Sequence, residues 1–320
     1  MMSWLAYFSG DAKNSPVEKE PERIKQYETQ LKKEGWTLLG NCEPGKGLNG
    51  DGLYFDVWEN RTTHPRQVVF AFRGTQFSEL NDWMSNLRWF RWATHVRKDQ
   101  YATARQECLR ILGETLSERE AQQARVVTTG HSLGGGIAQS VLYGSVPWID
   151  QAVVFDPSPV TGFLDLPKEL RDHYYSLPYR SDFAGCRVIR AYAKGEILQY
   201  PRNVLQLFYR PHPLTYTVEF RNAGKMGMIN QHSMLDLTET IRAASNGQTH
   251  VSLQAQKLPD ESPSYYRRFD SHLKMTPPPS AAPSKRSTKH KPALPSDLIK
   301  SASTTLEDTP EASPKLVATP

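Results

Sequence analysis

Little in this chain would place it outside ordinary globular proteins. Its three cysteines, Cys42, Cys108 and Cys186, are widely spaced and odd in number. That excludes a disulfide framework or a cysteine-rich metal cluster and leaves buried free thiols as the expectation. No run comes near the ~18 consecutive apolar residues that a membrane span needs. The opening stretch, "MMSWLAYFSGDAKNSP", lacks a basic segment followed by a sustained apolar one, so it reads poorly as a secretory signal. The expectation is a soluble protein, cytoplasmic or exported by a signal-independent route. The net charge of +5 is modest, and no Lys/Arg run reads as a nucleic-acid arm, so a nucleic-acid partner is not expected. Internal repeats are absent.

The 320 residues provide ample material for a core. Composition breaks once, near residue 250. From 251 to 320 the chain is rich in Pro, Ser, Thr and Lys and has no apolar period. Such a segment cannot bury enough surface to offset the entropy of ordering, so it is expected to be a disordered tail. A docking or export segment and a plain solvated linker both fit it. Residues 1–250 are expected to form one folded domain.

Within that domain "PERIKQYETQLKKEGW" reads as an amphipathic helix, and "GLYFDVWEN" and "RQVVFAFRG" as neighbouring strands. "DQYATARQECLRILGETLSEREAQQA" reads as a long helix. "DQAVVFDPSP" and "GCRVIRAYAKGE" supply further strands, "VLQLFYR" and "YTVEFRN" suit a hairpin, and "SMLDLTETIRAA" closes as a helix. Strands alternating with helices predict an α/β fold, a mostly parallel sheet with helices on both faces.

One stretch spends its residues differently. "VVTTGHSLGGGIAQSVLYGS" sets Gly130-His131-Ser132-Leu133-Gly134 between a short apolar strand and an apolar helical stripe. A G-x-S-x-G turn at such a join holds its serine in a strained conformation with the hydroxyl clear of the sheet edge. Its flanking positions must be small because strand and helix pass close there. The helix N-terminus then faces whatever the serine binds, which suits a developing oxyanion. Ser132 is the candidate nucleophile. The amide of Leu133, next in the chain, is the candidate oxyanion donor that elbow geometry supplies. His131 neighbours the serine in sequence and points elsewhere on such a turn, so a packing role is expected for it.

"VVFAFRGTQFSELNDWMSNL", followed some fifty residues later by "VVTTGHSLGGGIAQ", resembles the class 3 lipases. This α/β-hydrolase family includes fungal triacylglycerol lipases and related phospholipases. "VVFDPSPVTG" is similar to the family's next strand, with Asp156 standing where glycine is usual. The resemblance spans roughly residues 50 to 240. It implies the α/β-hydrolase fold, a lipid or membrane-surface substrate, no metal and no cofactor. It also implies that Thr75, after "FRG", is the second oxyanion donor; a hydroxyl closing a turn is the plainer reading.

A serine hydroxyl needs a base, and the base an acid. Elbow enzymes keep the chain order serine, acid, histidine. Of the later histidines, His232 falls in a loop directly before the closing helix and is the candidate base. The loop "KGEILQYPRN" resembles the family's aspartate segment, with Glu196 at the acid position. Asp182 and Asp156 are the alternatives. In "NDWMSNLRWFRWATHVRKDQ", Trp83, Trp89, Phe90 and Trp92 interleave with Arg88, Arg91 and Arg97. The family's lid lies in this region, and an interfacial segment would use such residues; a buried aromatic helix rimmed by arginines fits equally. The resulting expectation is a serine carboxylic-ester hydrolase acting on lipid, a phospholipase A-type enzyme or an acylglycerol lipase. A small-ester esterase and a catalytically silent hydrolase fold that docks a partner through its tail are the alternatives.

Overall fold

The computed structural model of the chain describes residues 1–8, 21–42, 53–74, 97–116, 123–145, 148–176, 187–193, 195–199, 215–221, 233–245 and 252–256. Six α-helices are described, α1 (Met2–Leu5), α2 (Pro21–Lys33), α3 (Arg97–Thr115), α4 (Leu133–Gly144), α5 (Lys168–Ser176) and α6 (Met234–Ser245), with one 3-10 turn at Phe163–Asp165. The strands are β1 (Trp36–Cys42), β2 (Phe55–Asn60), β3 (Gln67–Phe72), β4 (Arg125–His131), β5 (Gln151–Phe155), β6 (Val188–Ala193), β7 (Thr215–Arg221) and β8 (Ser252–Gln256).

The eight strands form one sheet in chain order. β1, β2 and β3 pair antiparallel; β3 through β7 pair parallel; β8 returns antiparallel along β7. The parallel centre follows from the sequence. β3 and β4 are near-continuous runs of buried residues, the pattern of strands covered on both faces. Alternate residues of β3 go to different cores. Val68, Phe70 and Phe72 pack with Val126, Val154 and Val188 and with Tyr101, Ile111, Val141 and Leu142 of α3 and α4. Val69 and Ala71 pack instead with Trp4, Leu5, Tyr27, Leu31 and Met234, from α1, α2 and α6. Helices therefore cover both faces. Each such side chain contributes about 1.5–3 kcal/mol relative to exposure, which makes the centre of the sheet a stiff platform.

"VLQLFYR", the first strand of the expected hairpin, lies outside the described residues; its expected partner is β7, which pairs with β6 and β8. Ser252–Gln256 forms an edge strand just beyond the composition break at residue 250. No described helix is long and apolar enough to cross a membrane.

Registers fix the site's position. Phe72 lies opposite Gly130, His131 opposite Phe155, and Phe155 opposite Ala191. The parallel strands thus end together, and the chain segments beyond them leave at one edge of the sheet. Parallel sheets place their ligands at this carboxyl edge.

Candidate active site

The backbone is strained at the join between β4 and α4. Ser132 has φ 55° and ψ −122°, a conformation that L residues rarely adopt. Such strain persists only where its surroundings over-determine it. Here they do. The Ser132 N–H donates to the carbonyl of Phe155 at 3.1 Å, and the Ser132 carbonyl accepts from Gly135 at 3.1 Å and from Ser158 at 2.8 Å. The glycines beside it are enforced by contact. A Cβ on Gly130 would lie 2.4 Å from the backbone of Gly134, and one on Gly134 would lie 2.4 Å from the carbonyl oxygen of Phe72.

Leu133 is the first residue of α4, so its N–H has no intrahelical acceptor and is free to point at an anion beside Ser132. The other side of the site is the end of β3. Arg73 donates its N–H to the carbonyl of Tyr54 at 2.9 Å, and its guanidinium lies over the Tyr54 ring at 4.5 Å. Gly74, the next residue, abuts the elbow: a Cβ there would be 2.5 Å from the carbonyl oxygen of His131. Thr75, directly after it, lies outside the described residues.

Three ionisable side chains are buried along this edge: His131 (2 % exposed), Asp156 (0 %) and Glu196 (0 %). Such burial is costly unless each group is held by partners. Asp156 follows β5 with φ 38°, in the left-handed region. Glycine takes such a backbone freely, and aspartate is among the few other residues that tolerate it. Its N–H donates to Ala191 at 2.8 Å, and its Oδ1 accepts the Ala193 N–H at 2.9 Å, so its carboxylate ties the ends of β5 and β6 together. Oδ2 faces His131 Nε2 at 3.9 Å.

Glu196 sits in the turn after β6. Its Oε2 accepts the Leu198 N–H at 2.8 Å, and its backbone carbonyl accepts the Gln199 N–H at 3.0 Å. Both carboxylates therefore lie past the ends of adjacent strands, β5 and β6. Asp182 lies outside the described residues.

His131 has more than a packing role. Its Nδ1 is 2.7 Å from the hydroxyl of Tyr7, and the two rings meet edge to face with centroids 5.8 Å apart. Neither Tyr7 nor the short helix before it stood out in the sequence. The signal was only Trp4, Leu5, Ala6 and Tyr7 in a row, too short to show a period.

His232 lies outside the described residues, one position before Ser233. Ser233 caps α6: its Oγ accepts the Asp236 N–H at 3.4 Å and its carbonyl accepts the Leu237 N–H at 3.0 Å. Met234 is buried among Trp4, Leu5, Val69 and Ala71, so the start of α6 is pinned to the face of the sheet that α1 covers. Trp83, Arg88, Trp89, Phe90 and Trp92 also lie outside the described residues. Among the described residues no group of three or more His, Cys, Asp or Glu side chains could hold a metal ion.

The described edge thus brings together a strained serine between a buried parallel strand and a helix N-terminus with buried carboxylates, features that nucleophilic sites of parallel sheets use. Residues 26–156 match the family model for a phospholipase-like protein, the Tle-like phospholipase domain. This match supports a phospholipase or lipase family and a lipid-hydrolysing activity. It runs from within α2 to Asp156, includes Ser132, and ends before Glu196 and His232. No curated protein matches the chain.

Proposed function

We propose that the protein is a serine carboxylic-ester hydrolase of the α/β-hydrolase fold, close in plan to the class 3 lipases, acting on phospholipid. The observation that carries this reading is the backbone of Ser132, φ 55° and ψ −122°, clamped by Phe155 and Ser158 at the N-terminus of α4. A protein with no use for that hydroxyl would gain stability by placing glycine there.

In this reading Ser132 Oγ attacks the acyl carbonyl while His232 takes its proton, and Glu196 holds the imidazole and stabilises its charge. The oxyanion of the tetrahedral intermediate is held by the N–H groups of Leu133 and Thr75. Its collapse expels the lysolipid alcohol, which takes the proton from His232. Water, deprotonated by His232, then hydrolyses the acyl-enzyme and frees the fatty acid and Ser132. Loss of one oxyanion donor would raise the barrier by about 3–4 kcal/mol. These steps need no metal or cofactor. Trp83, Trp89, Phe90 and Trp92, with Arg88 and Arg91 among them, would meet the lipid surface. An anionic bilayer favours such a segment by about 1 kcal/mol per basic residue near the surface.

Comparing turnover of a soluble short-chain nitrophenyl ester with turnover of anionic phospholipid vesicles tests the reading. Hydrolysis of both, with release of fatty acid strongly favoured on vesicles, is expected. Activity on the soluble ester alone would make the protein a small-ester esterase. Activity on neither would leave a silent hydrolase fold.

A further inference from the structure

Tyr7 touches both halves of the candidate site at once. Its hydroxyl lies 2.7 Å from His131 Nδ1. The same oxygen sits 2.2 Å from where a Cβ of Gly74 would stand, so the phenol rests directly on the Gly74 backbone. His131 immediately precedes the candidate nucleophile Ser132, and Gly74 immediately precedes the candidate oxyanion donor Thr75. One phenol therefore joins the end of β3 to the residue that precedes the elbow serine.

The surroundings make this bridge rigid. The segment carrying Tyr7 is anchored by the buried side chains of Trp4 and Leu5, and Ser3 Oγ lies 2.6 Å from Thr129 Oγ1 of β4. On its other side His131 Nε2 faces Asp156 Oδ2 at 3.9 Å, and Asp156 is itself fixed by accepting the Ala193 N–H at Oδ1. Burial pushes the Tyr7 phenol well above its ordinary range, so it remains a neutral donor throughout the working pH range.

We propose that Tyr7 is a positioning residue for catalysis: packed against the Gly74 backbone and donating to His131 Nδ1, it fixes the end of β3 against the elbow that carries Ser132. The proposal rests on the hydrolase reading above. It requires the Nε2–H tautomer of His131, with that proton toward Asp156. Tyr7 itself touches no reacting atom. Removing its hydroxyl would weaken binding of the tetrahedral species while leaving ground-state ester binding alone, because an oxyanion hole acts where charge develops.

The test uses the full-length chain and Tyr7→Phe, with rates normalised to sites titrated by a fluorophosphonate. The expected result is a kcat on short-chain ester lowered about ten- to hundredfold, KM within about twofold, and affinity for an alkyl boronic acid weakened by the same factor as kcat. The boronate is informative because its tetrahedral adduct uses the oxyanion donors and the bound ester does not. Should Tyr7→Phe fail to fold, His131→Asn and His131→Leu decide the matter. Asparagine keeps an acceptor near the Nδ1 position, so it should retain more kcat and tighter boronate binding than leucine. A kcat per titrated site within about twofold of wild type in Tyr7→Phe, or equal losses in the two His131 variants, would overturn the bridge and leave the hydrolase reading standing. Wild-type protein that neither turns over ester nor takes the phosphonate would overturn the hydrolase reading, and the bridge with it.

Discussion

Ser158 donates its N–H to the carbonyl of Ser132 at 2.8 Å, and through this bond the loop after β5 holds the elbow after β4 in its strained form. The strain is therefore a property of two strand ends and not of the pentapeptide alone. Changes of backbone freedom at the elbow should accordingly act on stability, and changes of side chain at Ser132 on chemistry.

Ser132→Gly should raise stability by about 1 kcal/mol, since glycine accepts the observed φ and ψ without strain. Gly134→Ala should lower it by about 3 kcal/mol or more, because the added methyl meets the backbone of Phe72 and Arg73, which cannot swing aside. Denaturant midpoints of the two variants against wild type check both.

The two buried carboxylates are expected to separate by function. Glu196→Gln should lower kcat at least about a hundredfold, since an amide cannot compensate an imidazolium, while Asp156→Asn and Asp182→Asn should cost less than about tenfold. Asparagine at 156 keeps an acceptor for the Ala193 N–H and tolerates the left-handed backbone. Steady-state rates on soluble ester decide it; a severe loss in Asp156→Asn alone would move the acid to the end of β5.

Much of this was legible in the residues themselves. The buried runs of β3 and β4 and the glycines around Ser132 fix two strands and the turn through sterics alone. Asp156 was legible as a departure from the glycine of the family the sequence resembles, and its φ of 38° is a backbone that glycine suits. β1 was not legible as a strand, because "WTLLGNC" mixes polar and apolar positions and slips register against β2 between Leu38 and Gly40. The role of residues 1–8 was not legible either. A single helical turn shows no period, and its meaning comes from contacts such as Tyr7 with His131, which lies 124 positions away.

The edge strand β8 yields a prediction about truncation. Cutting after Gln256 should leave soluble-ester activity within about twofold of wild type, because residues 257–320 have no apolar period to add to the core. Cutting at 250 removes the partner of β7 and bares its backbone edge, so that shorter chain should melt lower and associate. Thermal melts and light scattering of the two truncations distinguish them.

On the lipid side, replacing Trp89 and Trp92 together by alanine should cut vesicle hydrolysis at least about tenfold and leave soluble-ester turnover near wild type, with little change in melting temperature. Salt should mimic the effect of Arg88→Gln and Arg91→Gln on anionic vesicles by screening. A stability loss of about 3–5 kcal/mol per tryptophan, with both activities falling together, would instead make these core residues.

The central claim is that Ser132 is the nucleophile, and intact-mass analysis after treatment with a fluorophosphonate tests it most directly. Wild-type protein should gain one adduct, and peptide mapping should place it on Ser132. Ser132→Ala should remain folded, gain none, and lose vesicle hydrolysis by about 10⁴-fold or more. An adduct on another residue, or a folded Ser132→Ala that still hydrolyses vesicles within about tenfold of wild type, would contradict the account.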